Sequence, residues 1–178
     1  MPSHILAFAA TDGGFNGSNA IQQTGDFFID IGKDNSFATL VIQDTSGGLA
    51  LLNYGTVLGI EVLITDARSE DDPESSVDVS LFHYSDNAYT TAIEVAPGMS
   101  SVDELIVGGT SNTWGKDWSA DDINNIKIKI DNPQEFAGGI AFKGNYVTMR
   151  VTYQLSAEVN TPMILSQGKI QISEGKIF

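Results

Sequence analysis

Trp114 and Trp118 stand four residues apart around Gly115, inside a polar stretch that runs from Gly108 to Asn124. Two indoles at this spacing suit two tasks. They could stack on sugar rings, as in carbohydrate-binding modules, or they could anchor a long loop onto a core. His4 and His83 are the two histidines. A Ser-His-Asp triad can assemble from distant positions, but no Gly-x-Ser-x-Gly elbow accompanies them, and a structural or surface role is expected for both. Asp66, Glu70, Asp71, Asp72 and Glu74 crowd one segment. Such a cluster could hold Ca²⁺ through oxygen ligands, yet its spacing matches no calcium loop, and a solvated acidic loop is the expectation. The Gly-Gly pairs at 13–14, 47–48, 108–109 and 138–139 form neither Gly-x-Gly-x-x-Gly nor a Walker loop. They read as turn or bulge glycines, without support for nucleotide binding. Nothing nominates a carboxylate pair for glycoside hydrolysis. The residues therefore predict no catalytic group, no metal and no cofactor.

The elements that must position these residues are strands. Val57 to Thr65 is nearly continuously apolar and rich in β-branched side chains, which predicts a central strand. Val77 to His83 alternates and reads as half-buried. Tyr146 to Leu155 alternates over its whole length, with Val147, Met149, Val151, Tyr153 and Leu155 on one face. Further strands are expected at His4 to Ala10, Phe37 to Gln43, Leu105 to Val107 and Ile126 to Ile130, with short ones around Ala88 to Val95 and a short strand or bulge at Gly138 to Phe142. Leu49 to Tyr54 is apolar and is expected either to cross the core or to form another strand. Thr11 to Asp34 is a polar, glycine-rich connection with an apolar island at Phe27, Phe28 and Ile29, and Asp44 to Gly48 is a turn. Ser119 begins a single helical turn as its N-cap, with Asp121 and Asp122 at the positive end. Roughly eight strands without a long helix predict an all-β protein, an antiparallel β-sandwich of the jelly-roll kind.

The chain has 178 residues, enough for one large domain. It carries 9 basic and 23 acidic residues, for a net charge of -14. Such a surface repels phosphate backbones and anionic lipid, so no nucleic-acid or membrane partner is expected. No cysteine is present, which excludes disulfides and thiolate chemistry. The first ten residues lack the basic cluster of a signal peptide and read as a strand. No apolar run approaches the ~20 residues that span a bilayer.

Residues 1–155 read as the sandwich domain, with residues 1–35 as its N-terminal strand and loop region. Residues 156–178 leave that rhythm and are expected to form an extended C-terminal arm. The arm holds a small repeat, Ser166 to Ile170 and Ser173 to Ile177, spaced seven residues apart. Its alternating apolar and basic residues, Lys169, Ile170, Ile172, Lys176, Ile177 and Phe178, are candidates for a partner interface, since such a segment tends to add to a sheet edge.

Several phrases in order carry a further resemblance. They are Asp34-Asn-Ser-Phe-Ala-Thr39, Gly59-Ile-Glu-Val-Leu-Ile64, Val77-Asp-Val-Ser-Leu81, the Gly-Gly-x-x-x-x-Trp-Gly-x-x-Trp-x-x-x-Asp-Ile-Asn phrase of Gly108 to Asn124, and Tyr146 to Tyr153. Their order and spacing, over about residues 30 to 155, resemble a β-sandwich region of tailed-bacteriophage virion structural proteins. The chain departs from that pattern at its N-terminus, where a tryptophan-proline phrase is missing, and in its arm. The resemblance implies a non-enzymatic virion component. Size, acidity and the arm suit a capsid decoration, or cement, protein on the capsid exterior, assembled in the host cytoplasm. Its partners would be the major capsid protein and copies of itself, as a homo-oligomer such as a trimer. The alternative is a tail- or fibre-associated receptor- or carbohydrate-binding module using Trp114 and Trp118.

Overall fold

The computed structural model describes residues 1–14, 17–22, 25–30, 39–46, 55–69, 76–132, 140–155, 172–173 and 176–177. Its strands are β1 (Ser3–Gly13), β2 (Phe27–Asp30), β3 (Thr39–Ser46), β4 (Gly55–Ser69), β5 (Val77–His83), β6 (Ala88–Tyr89), β7 (Ile93–Val95) and β8 (Val102–Gly108). They continue as β9 (Ile128–Asp131), β10 (Ile140–Gly144), β11 (Tyr146–Leu155), β12 (Ile172–Ser173) and β13 (Lys176–Ile177). Two short helical pieces interrupt them, a 3-10 turn at Gly17–Ile21 and α1 at Ala120–Asn124.

Every strand pairing among the described residues is antiparallel. β1 is the corner of the architecture. Its first half, Ser3 to Leu6, pairs with β11, and its second half, Ala7 to Gly13, pairs with β3. One sheet therefore runs β1-β11-β4-β8, and the second runs β1-β3-β9-β5-β7. β6 adds to the end of β5, while β10 joins β2 to the end of β4. The inward rows of both sheets meet in one core. Leu6, Val62, Met149 and Val107 come from the first sheet, and Leu40, Ile42, Val79, Leu81, Ile128 and Ile130 from the second. The expected all-β antiparallel sandwich is what the chain forms.

The apolar run predicted to be central is β4, which lies between β11 and β8. Its outward residues Glu61 and Leu63 are nearly as buried as its inward ones, at 6% and 3% exposure. That is why alternation is muted there. β11 keeps its predicted face as far as Tyr153. Gly59 pairs with Thr152 and Val57 with Tyr153, leaving Leu58 as the extra residue of a bulge. The bulge shifts the phase of β4 against β11. Thr152 and Tyr153 are both buried, and Leu155, expected inward, is 56% exposed.

Several boundaries differ from expectation. β1 extends to Gly13 and β3 to Ser46, through residues read as turns, because the two strands hydrogen-bond along that length. Ladder pairing there overrides local turn preference. The island Phe27 to Ile29 is a strand held by β10. β4 continues to Ser69, past the expected start of the acidic loop, with Asp66 at φ 53°. β8 is longer than Leu105 to Val107, and β9 begins at Ile128 rather than Ile126. Leu49 to Tyr54, the acidic residues Glu70 to Glu74 and most of the Asp34 to Thr39 phrase lie outside the described residues.

Candidate functional site

The segment Gly108 to Asn124 fastens one sheet to the other. β8 stops pairing with β4 at Gly108, and the following loop takes over the backbone of Ile60. The Ile60 N–H donates to Asn112 O at 2.9 Å. The Ile60 carbonyl accepts from the Gly109 N–H at 3.2 Å and from Trp114 Nε1–H at 2.9 Å. This approach requires glycine on both sides. A Cβ on Gly108, whose φ is +96°, would lie 2.3 Å from Ile60 O, and one on Gly59 would lie 2.3 Å from the Thr110 carbonyl carbon. Trp114 itself sits at φ 55°, held by its N–H donating to Asn112 Oδ1 at 2.8 Å. A bulky residue there is strained, and the buried indole and its hydrogen bond offset that strain.

The other end of the segment binds β5 and the turn after it. Trp118 donates through Nε1 to Thr113 O at 2.8 Å, and its ring meets His83 edge-to-face at 5.0 Å. His83 Nε2–H donates to Asp117 O at 3.0 Å. His83 Nδ1 lies 3.1 Å from Asp86 Oδ2, and Lys116 Nζ reaches the same oxygen at 2.6 Å. The Lys116 hydrogen bond holds the Asp86 carboxyl below its ordinary pKa, against some desolvation, and His83 adds to the effect.

Asp122 closes the arrangement. Ser119 caps α1 as predicted, its side chain accepting from the Asp122 N–H at 3.1 Å while Asp122 Oδ2 accepts from the Ser119 N–H at 2.9 Å. This is the reciprocal capping box, with an aspartate in the third helical position. Asp122 Oδ1 also accepts from the Ser85 N–H at 2.7 Å, so the cap is tied to the β5–β6 turn. Burial would raise the Asp122 pKa. Hydrogen bonds from Ser119 and Ser85 outweigh burial and hold it down at about 2.

The indoles are core anchors here. Trp114 and Trp118 are 6% and 7% exposed and belong to the core cluster. Neither offers an open face for a sugar ring. His83 is buried within the staple, and His4 lies in β1 opposite Val151. Asp66 accepts a hydrogen bond from Ser101 Oγ. Among the described residues no group of three His, Asp or Glu side chains is placed to hold a metal ion. Of the arm candidates, Ile172, Lys176 and Ile177 lie in β12 and β13, which pair with each other, Ile172 opposite Ile177. Lys169, Ile170 and Phe178 lie outside the described residues.

Sequence reasoning missed the surface beside the staple. Phe82, Tyr84 and Asn87 of the β5–β6 hairpin border an open cleft there, together with Gln43, Asn125 and Lys127. The signal available was the pairing of a turn, Tyr84 to Asn87, with the exposed face of an alternating strand. No family model, curated protein or solved structure matches the chain.

Proposed function

We propose that this chain is a non-enzymatic structural protein of a tailed-phage virion, a capsid decoration (cement) protein with a jelly-roll-like body. The body binds the outer shell, and residues 156–178 reach a neighbouring subunit. One observation carries the reading. The eleven strands of the body pair among themselves and end at an exposed Leu155, while β12 and β13 pair with each other, outside that ladder. A body whose described strands pair among themselves, followed by a segment with its own pairing, is the division of labour a clip-on protein uses. The order of the resembling phrases supports the reading, as does a net charge of -14, which suits the outside of a shell better than its DNA-facing side.

The test is heat protection. Heads lacking this protein are warmed with the full chain or with a 1–155 variant whose fold has been checked by circular dichroism. The full chain is expected to raise the disruption temperature and the truncated one to leave it unchanged. Equal protection by both would remove the arm from the proposal.

A further inference from the structure

The cleft beside the staple has a volume of about 370 Å³, at the lower end of small-molecule sites. It lies on the outer face of the second sheet. Its aromatic wall is Phe82 and Tyr84, the latter 53% exposed. Phe82 is fixed edge-to-face against Tyr89, with ring centres 5.4 Å apart. The wall is rigid at its turn as well, because the Asn87 N–H donates to Tyr84 O at 3.0 Å with Asn87 at φ 51°.

Three features together define a ligand class. The exposed Tyr84 ring suits the C–H face of a sugar ring. The side-chain amides of Gln43 and Asn87 and the Tyr84 hydroxyl have no hydrogen-bond partner among the described residues. Amides donate and accept side by side, as neighbouring sugar hydroxyls require. The third feature is charge. Lys116, Lys129 and Lys143 each sit within 3.0 Å of a carboxylate. Lys127 instead lies over the Phe82 ring at 5.3 Å, with no carboxylate partner among the described residues. An ammonium with no carboxylate partner at a cleft wall points to an anionic group on the ligand, held by local contact against the long-range repulsion of a chain of charge -14.

We infer that this cleft binds a saccharide bearing a carboxylate, a uronic or sialic acid residue. Tyr84 stacks on the ring, Gln43 and Asn87 meet its hydroxyls, and Lys127 meets the carboxylate. The inference stands apart from the virion reading, and neither depends on the other.

The test is an NMR titration of the full-length, isotope-labelled protein with sialyllactose, with trigalacturonate and with lactose as the neutral control. The expected result is shifts confined to amides of residues 82–89 and 125–127, with at least one acidic sugar binding about fivefold or more tighter than lactose. The sugar that binds identifies the source of the carboxylate. Tyr84→Ala is expected to weaken binding about tenfold. Lys127→Gln is expected to erase the preference for the acidic sugar while leaving lactose unchanged. Both side chains sit at the surface, and one-dimensional spectra report whether each variant is folded. Absence of shifts with both acidic sugars at about 10 mM would overturn the inference. So would shifts at another surface, undiminished binding by Tyr84→Ala, or lactose binding as tightly as the acids.

Discussion

Asp122 shows how one side chain can hold two elements. It completes the α1 cap through Ser119 and reaches the Ser85 N–H across the β5–β6 turn. Its pKa falls from 3.8 to about 2 on folding. A depressed carboxylate contributes stability above its unfolded pKa and loses it as pH falls through the folded value. About 2 kcal/mol should therefore disappear between roughly pH 4 and pH 2. Chemical denaturation across that window is expected to show the slope in the native chain and a weaker slope in Asp122→Asn. Trp114→Ala is expected to cost about 3–5 kcal/mol, since it empties a core position and leaves the Ile60 carbonyl one donor short. An urea midpoint equal to the native one would show that the loop is not anchored through this ring.

The strands were legible where side-chain periodicity speaks for itself. β5 and β11 begin and end at the expected residues, and Ile126, Ile128 and Ile130 are all buried as their alternation implied. Legibility failed where a partner strand decides the outcome. Asp44, Thr45 and Ser46 look like a turn until β1 lies beside them. Leu155 continues the apolar row of β11 in the sequence but is exposed at the strand's last position. The capped turn at Ser119 was readable because caps are local. The tie from Asp122 to Ser85 was not, because 37 residues separate the two groups. Cross-strand chemistry on the outer face of the second sheet was equally hidden. Asp78 faces Glu94 on β7 and Asp131 on β9. Burial and then these two carboxylates raise its pKa. Removing the charge with Asp78→Asn is expected to stabilise the protein at pH 7 by about 0.5 kcal/mol, read as a higher denaturation midpoint. A lower midpoint would mean that the Asp78 carboxylate is compensated at neutral pH. Gly108→Ala, with its positive φ and its close approach to β4, is expected to destabilise by more than about 1 kcal/mol.

Among the described residues, the body is two antiparallel sheets turned about β1 and stapled across by the tryptophan segment. Both indoles serve the interior, and the proposals therefore place recognition on surfaces: the Tyr84 cleft on the body and the segment beyond Leu155. The most direct measurement is sedimentation of the purified chain with phage heads that lack it. The expected result is saturable co-sedimentation at a fixed number of copies per capsomer junction. Protein that stays in the supernatant at every concentration would contradict the decoration role.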